Sequence, residues 1–275
     1  MSLHQYKHTS HRLSLYIILL IITMTIMYML KMCSSNSSDL TTSQLPSSGD
    51  TIDVGIEYSP LSLYSFGDTL GGFNYDLMRL VASQHNLKIK FHPIVSLTHA
   101  ITEVEKGSFD ILIAEMPTTS EFTDKFLFTI PIYLDRQVLI QSKSNYRQIN
   151  TQLDLAGDTV WVVANSPFAS RINNLAREIG DTIYVITDSI HSAEQLFILT
   201  ATNEIKQAVI NEQVAKIMAQ DYREVDISTD ISFSQFQSWI VNKNDSVLCD
   251  SLNSWLSAIK STNQFQTLRE RYLQK

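Results

Sequence analysis

The chain has 275 residues, of which 44% are hydrophobic and 18% are charged, a composition typical of a globular protein and not of a disordered one. Its formal net charge is −7, and the first 33 residues contain Lys7, Arg12 and Lys31 but no acidic residue, so the rest of the chain is more acidic still. An acidic surface repels the phosphate backbone, which argues against nucleic acid as a partner.

The first element is an apolar run at residues 13–30, preceded by Lys7 and Arg12. Basic residues before such a run favour the N-terminus inside, and the run is just long enough to span the hydrocarbon core of a membrane. Two interpretations remain open. Residues 1–33 are an uncleaved anchor, or residues 30–33 are a loose lipobox that is cut before Cys33, the residue that would then carry lipid. Both attach the chain to the membrane on the periplasmic, extracytoplasmic side.

Residues 34–50 are rich in Ser and Thr and contain almost nothing to bury. This composition predicts a flexible tether between the membrane segment and the folded body. As a coil, a tether of this length reaches on the order of 23 Å. We therefore expect the body to move near the membrane surface.

The body begins with a series of strand, helix, strand, helix and strand. Apolar residues alternate from Ile52 to Ile56, which predicts the first strand. The series continues with a helix at 74–84, a strand at 88–92, a helix between Ser96 and Gly107, and a buried strand at 111–114.

The same series occurs a second time. Predicted strands lie at residues 159–164, 182–187 and 207–210. Ser192 and Gln195 match a capping box ahead of an apolar helical pattern, and Asn211 opens a further helix. The repetition indicates two similar α/β halves.

Two further apolar segments, residues 137–141 and 237–241, bracket the second half. If the chain crosses through one and returns through the other, the fold is a two-lobed clamp with two hinge crossings, and Arg136, Gln137 and Trp239 lie at the hinge. Lobe 1 is then residues 51–138 and 237–275, completed by two C-terminal helices, and lobe 2 is residues 139–236. The alternative is two independent doubly wound domains in series.

Several segments in the correct order resemble the family 3 extracellular solute-binding proteins, which have the type II periplasmic-binding fold. They are VGIEYSPLSLY (54–64), GGFNYDLMRLVASQHNLKIKF (71–91), the Thr-rich turn and Phe-Thr-x-Pro-x-Tyr exit of residues 107–133, and residues 154–180. Residues 194–222 and 232–256 are similar to the solute-binding module of membrane-bound lytic transglycosylase F-like proteins. Such proteins add a C-terminal catalytic domain, so the resemblance implies that this chain, ending at Lys275, lacks the catalytic part.

In open α/β sheets a ligand binds beyond the carboxyl ends of the strands. Each candidate contact follows such a strand end or the glycine turn before the first helix. Each also has a structural interpretation, such as core packing for Phe73 or a self-satisfied N-cap for Ser166. The candidates are Tyr58, Phe73, Glu115, Thr118, Thr119, Phe122, Ser166, Phe168 and Asn211.

The resemblance also identifies two departures that concern the ligand. Amino-acid-binding members place Arg after a Thr-x-Glu turn to hold the ligand carboxylate, and this chain has Phe122 at that position. They place Asp at a lobe 2 strand end to hold the ligand ammonium, and this chain has Asn211 there. A paired carboxylate and a paired ammonium are the strong contacts of a zwitterion. We therefore expect a peptide or a cell-wall fragment in preference to a free amino acid.

The remaining residues with reactive or metal-binding side chains do not form a recognisable centre. Cys249 lies in an apolar helical pattern, which predicts an inert core thiol. His85, His92 and His99 fall on different predicted elements and share no ligand geometry. With no Walker loop, GxGxxG motif or zinc-type spacing, the sequence predicts neither a metal nor a cofactor.

The sequence thus predicts a non-enzymatic protein that captures a small ligand by clamp closure, for an importer permease or for sensing. One alternative is a scaffold or regulator that docks a peptidoglycan enzyme after losing its ligand. Another is a dehydratase-like enzyme of the same fold, with Glu57 and Glu115 as an acid/base pair.

Overall fold

The computed structural model describes residues 18–27 and 51–273, and the chain divides into two compact units, residues 1–44 and 45–275. In the first unit, residues 18–27 form an exposed helix, α1. Within the described ranges, no helix combines the length and the apolar character that crossing a membrane requires. The predicted tether, Cys33 and both ends of the predicted membrane segment lie outside these ranges.

Lobe 1 is built on a five-stranded sheet. Its strands are β1 (Thr51–Glu57), β4 (Lys88–Ile94), β5 (Ile111–Ile113), β6 (Phe126–Phe128) and β14 (Ile240–Asn242). Their order is β4-β1-β5-β14-β6, with β1 parallel to both β4 and β5. A small hairpin of β2 (Tyr64–Phe66) and β3 (Thr69–Gly71) follows β1. The helices are α2 (Phe73–His85), α3 (Leu97–Lys106), α4 (Ser120–Thr123), α8 (Ser246–Lys260) and α9 (Asn263–Tyr272).

Lobe 2 repeats this layered architecture. Its strands are β8 (Gln137–Ser142), β9 (Thr159–Val163), β10 (Tyr184–Asp188), β11 (Gln207–Asn211) and β12 (Val225–Asp230), in the order β10-β9-β11-β8-β12. Its helices are α5 (Phe168–Ile179), α6 (Ala193–Ala201) and α7 (Glu212–Met218), with a 3-10 turn at Gln152–Leu155. Because residues of β8 and β11 pack alternately against α5 and α6, both faces of the sheet are buried.

Local signals in the sequence explain where several helices begin and end. The Ser96 hydroxyl accepts a hydrogen bond from His99 N, and Gly107 ends α3 at a φ of 77°. The predicted capping box is confirmed, since Ser192 accepts from Gln195 N and the Gln195 side chain accepts from Ser192 N. Such caps satisfy backbone groups that a helix end leaves without partners.

The two lobes are joined by a hinge of two short antiparallel strands, β7 (Tyr133–Asp135) and β13 (Gln235–Gln237). The chain passes from β7 into β8 and returns through β13 to β14, which pairs with β5 in the lobe 1 sheet. The two-lobed fold with two crossings is therefore confirmed, and the alternative of two domains in series is wrong. The lobe 2 sheet begins at Gln137, so residue 138 lies inside β8.

The returning segment differs from its predicted form. We predicted a single apolar crossing at residues 237–241, but β13 ends at Gln237 and β14 begins at Ile240. Ser238 and Trp239 separate the two strands because the chain changes sheets there. Trp239 is fully buried, and its indole nitrogen donates to Asn74 Oδ1 at 3.0 Å, which fixes the change of direction.

The predicted core thiol of Cys249 is confirmed, since the cysteine is free and buried in α8, and burial raises the pKa of its thiol.

The three histidines lie apart from one another. His85 stacks on Trp255, and the ring of His92 bonds Asp53 at 2.6 Å. In the part of the chain that the structure describes, no group of three His, Cys, Asp or Glu side chains is arranged to hold a metal ion.

Candidate ligand-binding cleft

The carboxyl ends of the two sheets face one another. The residues just beyond β4 and β5 in lobe 1 are hydrogen-bonded to those just beyond β9 and β10 in lobe 2. The contacts are Asn165 Nδ2 to Thr98 Oγ1 (2.8 Å), Ser170 Oγ to Glu121 Oε2 (3.0 Å) and Ser96 Oγ to Ser189 O (3.4 Å). The lobes thus meet at their strand ends, which is the geometry that a clamp requires.

Glu115, at the end of the central strand β5, organises the floor of lobe 1. Its side chain is buried, and Oε1 accepts hydrogen bonds from the hydroxyls of Ser59 and Ser62, the latter at 2.7 Å. Asn74 donates to Ser62 Oγ at 2.8 Å and accepts from Trp239. This network ties the turn after β1 to the first helix and to the returning segment.

A second carboxylate, that of Glu57, lies beside this network. Glu57 Oε2 accepts from Glu115 N at 3.0 Å. Burial raises the pKa of Glu115 well above its ordinary value, and the charge of Glu57 raises it further. Burial likewise raises the pKa of Glu57. Two neighbouring carboxylates in a poorly solvated site favour their protonated forms.

Asp135, the last residue of β7, connects the hinge to lobe 2. It accepts from Arg136 N at 2.8 Å, from Asn211 Nδ2 at 3.3 Å and from Gln213 N at 3.3 Å. Burial raises the pKa of Asp135 from 3.8 to about 7 despite these hydrogen bonds, and the negative charge of Glu212 contributes to the rise. Asn211 is therefore already engaged by the hinge.

Thr118 and Thr119 form the turn between β5 and α4. Their hydroxyl oxygens are buried, and neither has a hydrogen-bond partner among the described residues. Glu115 Oε2 is a third buried polar atom without such a partner. Buried polar atoms in folded proteins are nearly always hydrogen-bonded. A ligand at this turn would supply the missing partners, since α4 faces Ser170 of lobe 2.

The aromatic candidates are distributed between surface and core. Tyr58 is 38% exposed, and its hydroxyl lies 3.3 Å from Ser65 Oγ. Phe73 is fully buried and packs edge-on against Tyr133, with ring centroids 5.6 Å apart. Phe122 and Phe168 are also buried. Of this group, Tyr58 alone presents an exposed ring surface to solvent.

The remaining candidates are held by protein partners. Ser166 donates to Val163 O at 2.6 Å, the arrangement of a self-satisfied turn. Arg136 is bonded to Glu212 and Asp230, both at 2.7 Å, so its charge is neutralised within lobe 2. Gln137 N donates to Ser232 Oγ at 2.9 Å, and Trp239 lies in the core of lobe 1.

Sequence reasoning missed several residues that shape the site. Asp135 and Tyr133 were not singled out, although Tyr133 ends the predicted exit segment and Asp135 follows it by two residues. Thr98, which joins lobe 1 to Asn165 of lobe 2, was not singled out either. Polar residues beyond strand ends were the available signal for Thr98, while the burial of Asp135 depends on how β7 packs against lobe 2.

Comparison with known proteins agrees with this geometry. The family model of bacterial extracellular solute-binding proteins, family 3, matches residues 51–275. Together with the two lobes, the paired hinge strands and the facing strand ends, this match defines a periplasmic-binding-protein-like ligand-binding protein. The chain belongs to family 3 of the bacterial extracellular solute-binding proteins.

Among curated relatives, the chain is similar to membrane-bound lytic murein transglycosylase F. It is 21% identical to the protein of Shewanella sediminis over 224 residues, which are 81% of this chain and 46% of the relative. It is 21% identical to that of Photobacterium profundum over 249 residues, 90% of this chain and 48% of the relative. The chain thus spans about half the length of these relatives.

Solved structures show the same fold. An ancestral arginine-binding protein bound to arginine superposes with a TM-score of 0.71 at 22% identity, over 82% of this chain and 98% of that one. A putative L-cystine ABC transporter protein from Listeria monocytogenes superposes with a TM-score of 0.72 at 19% identity, over 82% of this chain and 96% of that one. Identities this low establish the architecture and leave the ligand open.

Proposed function

We propose that this protein captures a small extracytoplasmic ligand by closing its two lobes, and passes it to an importer or reports its presence to a partner. The observation that supports this most directly is the set of hydrogen bonds between facing strand ends, because they are contacts that an opened clamp would lose. A ligand that binds the closed form more tightly shifts the population toward it.

The proposed contacts are the surface of Tyr58 and the unpartnered polar atoms of Thr118, Thr119 and Glu115. Phe122, Ser166, Phe168 and Asn211 then shape the site through packing and hinge contacts more than through free polar groups. Phe73 supports the floor from the core.

We infer that the ligand is a peptide or a cell-wall fragment. The position expected to hold an Arg for a ligand carboxylate contains buried Phe122, and the guanidinium of Arg136 is paired with two acids. Asn211 is uncharged and donates to Asp135. The transglycosylase F relatives are named for an action on murein, which favours a cell-wall ligand. One structural relative binds arginine and another is named as a putative L-cystine transporter protein. A binding test should therefore compare amino acids and cystine with peptides and cell-wall fragments.

Residues 1–33 would hold the protein at the membrane, as an anchor or through lipid on Cys33, and residues 34–50 would tether the lobes to it. The word membrane-bound in the names of the relatives supports this placement. Lobe boundaries near residues 138 and 237 complete the proposed organisation.

A scaffold function is the second candidate, because the lobes contact each other through protein side chains and several expected ligand positions are buried. Such a protein would bind a peptidoglycan enzyme in place of a solute. Catalysis by Glu57 and Glu115 receives less support, since one oxygen of Glu115 is committed to two serine hydroxyls.

Thermal unfolding of the full chain in detergent, with a panel of amino acids, di- and tripeptides and muropeptides, tests ligand capture. A ligand at 100 times its dissociation constant stabilises the folded state by about 2.7 kcal/mol. We expect a peptide or muropeptide to raise the melting temperature, and Thr119→Val to weaken its binding by roughly 10-fold. The matched control is Thr102→Val, whose hydroxyl bonds Thr98 O within α3. If no panel member stabilises the protein, the scaffold function is favoured.

A further inference from the structure

A cavity lies at the hinge. Tyr133 lines it and also borders the cleft, whereas Thr118, Thr119 and Glu115 of the cleft do not line it. The volume of the cavity is about 610 Å³, and its walls come from the hinge strands, from α9 and from Gln213 of lobe 2. Cavities that bind small molecules occupy roughly 300–1,000 Å³. The space is therefore large enough for a ligand of its own.

The walls of this hinge cavity are mostly apolar. Ile132 and Phe265 are buried beneath it, and Leu134 and Phe236 are cross-strand partners that stand more than half exposed, at 55% and 57%. Exposed apolar side chains that converge on a concave surface mark binding sites more often than isolated ones do. The apolar part of a ligand would pack here.

Two cations stand at the edge of these apolar walls. Lys260 Nζ donates to Pro131 O at 2.5 Å, and both Lys260 and Arg269 line the cavity. Burial lowers the pKa of Lys260, and the positive charge of Arg269 lowers it further, so the two groups are close enough to repel each other. The ion pairs found among residues 51–273 include neither of them. Glu270 also lines the cavity, and its single negative charge, set against the two positive charges, leaves the cavity with a net positive charge.

We propose that the hinge cavity binds a small amphipathic anion, with an aromatic or branched aliphatic body against Leu134, Phe236 and Phe265 and a carboxylate between Lys260 and Arg269. The anion relieves the repulsion between the two cations and covers the exposed apolar pair. This binding does not require the cleft to hold a ligand.

The position of the cavity also gives its ligand an influence on closure, a consequence that rests on the proposed function of the cleft. Tyr133 lines the cavity, and burial, together with the negative charges of Glu115, Asp135 and Glu57, raises the pKa of its hydroxyl, which places that end of the side chain near the cleft floor. Hinge strands move when lobes close, so the two conformations offer the anion different cavities. A ligand with different affinities for two conformations shifts their populations.

Fluorine NMR of the full chain with 4-fluorophenylacetate tests the site, with 4-fluorophenylacetamide as the uncharged probe of matched shape. We expect the acid to bind and the amide to bind at least roughly 10-fold more weakly, as for the loss of a charge-assisted hydrogen bond. Arg269→Gln should weaken binding of the acid by a similar factor. Leu134→Ser, at an exposed position, should also weaken it. Arg271→Gln, on the same helix but directed toward Asp76, should leave binding unchanged.

Equal binding of acid and amide, or binding that survives Arg269→Gln unchanged, would overturn the proposal. So would loss of binding in Thr119→Trp, because that result would place the probe in the cleft. If the cleft captures no ligand at all, probe binding is still expected, so the two proposals fail separately.

Discussion

Asn165 Nδ2 donates a hydrogen bond to Thr98 Oγ1 at 2.8 Å, joining the carboxyl end of β9 in lobe 2 to the first turn of α3 in lobe 1. The two residues are 67 positions apart in sequence and belong to different sheets. Their contact exists only while the lobes are close, so it reports on closure directly.

Thr98→Val removes the acceptor with little change in shape, and we expect it to shift the ligand-free protein toward the open form. A neutral hydrogen bond contributes about 1 kcal/mol, which changes the ratio of open to closed molecules by roughly 5-fold. Small-angle scattering should record a larger radius of gyration. Thr102→Val on the same helix serves as the control, and an equal radius in both variants would count against a latch at Thr98.

The free energy of unfolding should fall as the pH rises from about 4 to about 7. Burial raises the pKa of Asp135 from 3.8 to about 7, so across this interval the unfolded chain releases a proton that the folded chain retains. At about 1.4 kcal/mol per unit, this carboxyl alone lowers stability by about 4 kcal/mol. The carboxyl of Asp135 is surrounded by Glu115, Glu212, Arg136 and Tyr133. The raised pKa of Glu115 changes stability with pH in the same direction.

Asp135→Asn should flatten this dependence, as measured by urea unfolding at a series of pH values. The exposed Asp181→Asn variant should retain the wild-type slope. Identical slopes for Asp135→Asn and the wild type would mean that Asp135 titrates with an ordinary pKa.

Gly72→Ala should destabilise the fold by about 3 kcal/mol. Gly72 has a φ of 135°, and an added Cβ would lie 2.3 Å from Ser62 O. The glycine lets the turn after β1 approach the N-terminus of α2, where Phe73 N donates to Leu61 O. Gly107 also has a positive φ, but a Cβ added there would meet no atom within 4 Å. Chemical denaturation of Gly107→Ala should therefore show a loss of only about 1 kcal/mol in the free energy of unfolding. Equal losses would contradict a close approach at Gly72.

Trp239→Phe should cost about 3 kcal/mol in the free energy of unfolding. The change leaves Asn74 Oδ1 buried without its donor and opens a cavity at a fully buried position. Trp255→Phe is the control, because that indole is only partly buried and stacks on His85. If urea unfolding shows a larger loss of stability in Trp255→Phe than in Trp239→Phe, Trp239 does not fix the return of the chain to lobe 1.

Much of the fold could be predicted because its signals are local. The capping residues Ser96 and Ser192 and the terminal Gly107 mark helix ends within a few residues. The division of the returning segment at Trp239 could not be predicted, since it depends on two sheets that the segment joins. The apolar pattern of residues 237–241 is continuous in sequence, whereas the strand that the chain pairs with changes from β7 to β5.

The site was predicted less completely than the fold. Strand ends predict Tyr58, Thr118 and Thr119 as site residues, because topology alone places them at one edge of the sheet. The engagement of Asn211 by Asp135 depends on the packing of the hinge against β11, which no local pattern encodes. The burial of Phe73 is equally a tertiary property, since an aromatic residue after a glycine turn suits a core and a binding surface alike.

Pulsed EPR distances between the lobes test ligand capture by closure most directly. Spin labels on noncanonical residues replacing exposed Glu105 of lobe 1 and Asn174 of lobe 2 leave both cysteines native. We predict that a peptide or muropeptide narrows the distance distribution toward the closed form, and that Thr98→Val broadens it toward the open form. A distribution unchanged by every ligand and by Thr98→Val would show rigid lobes and contradict capture by closure.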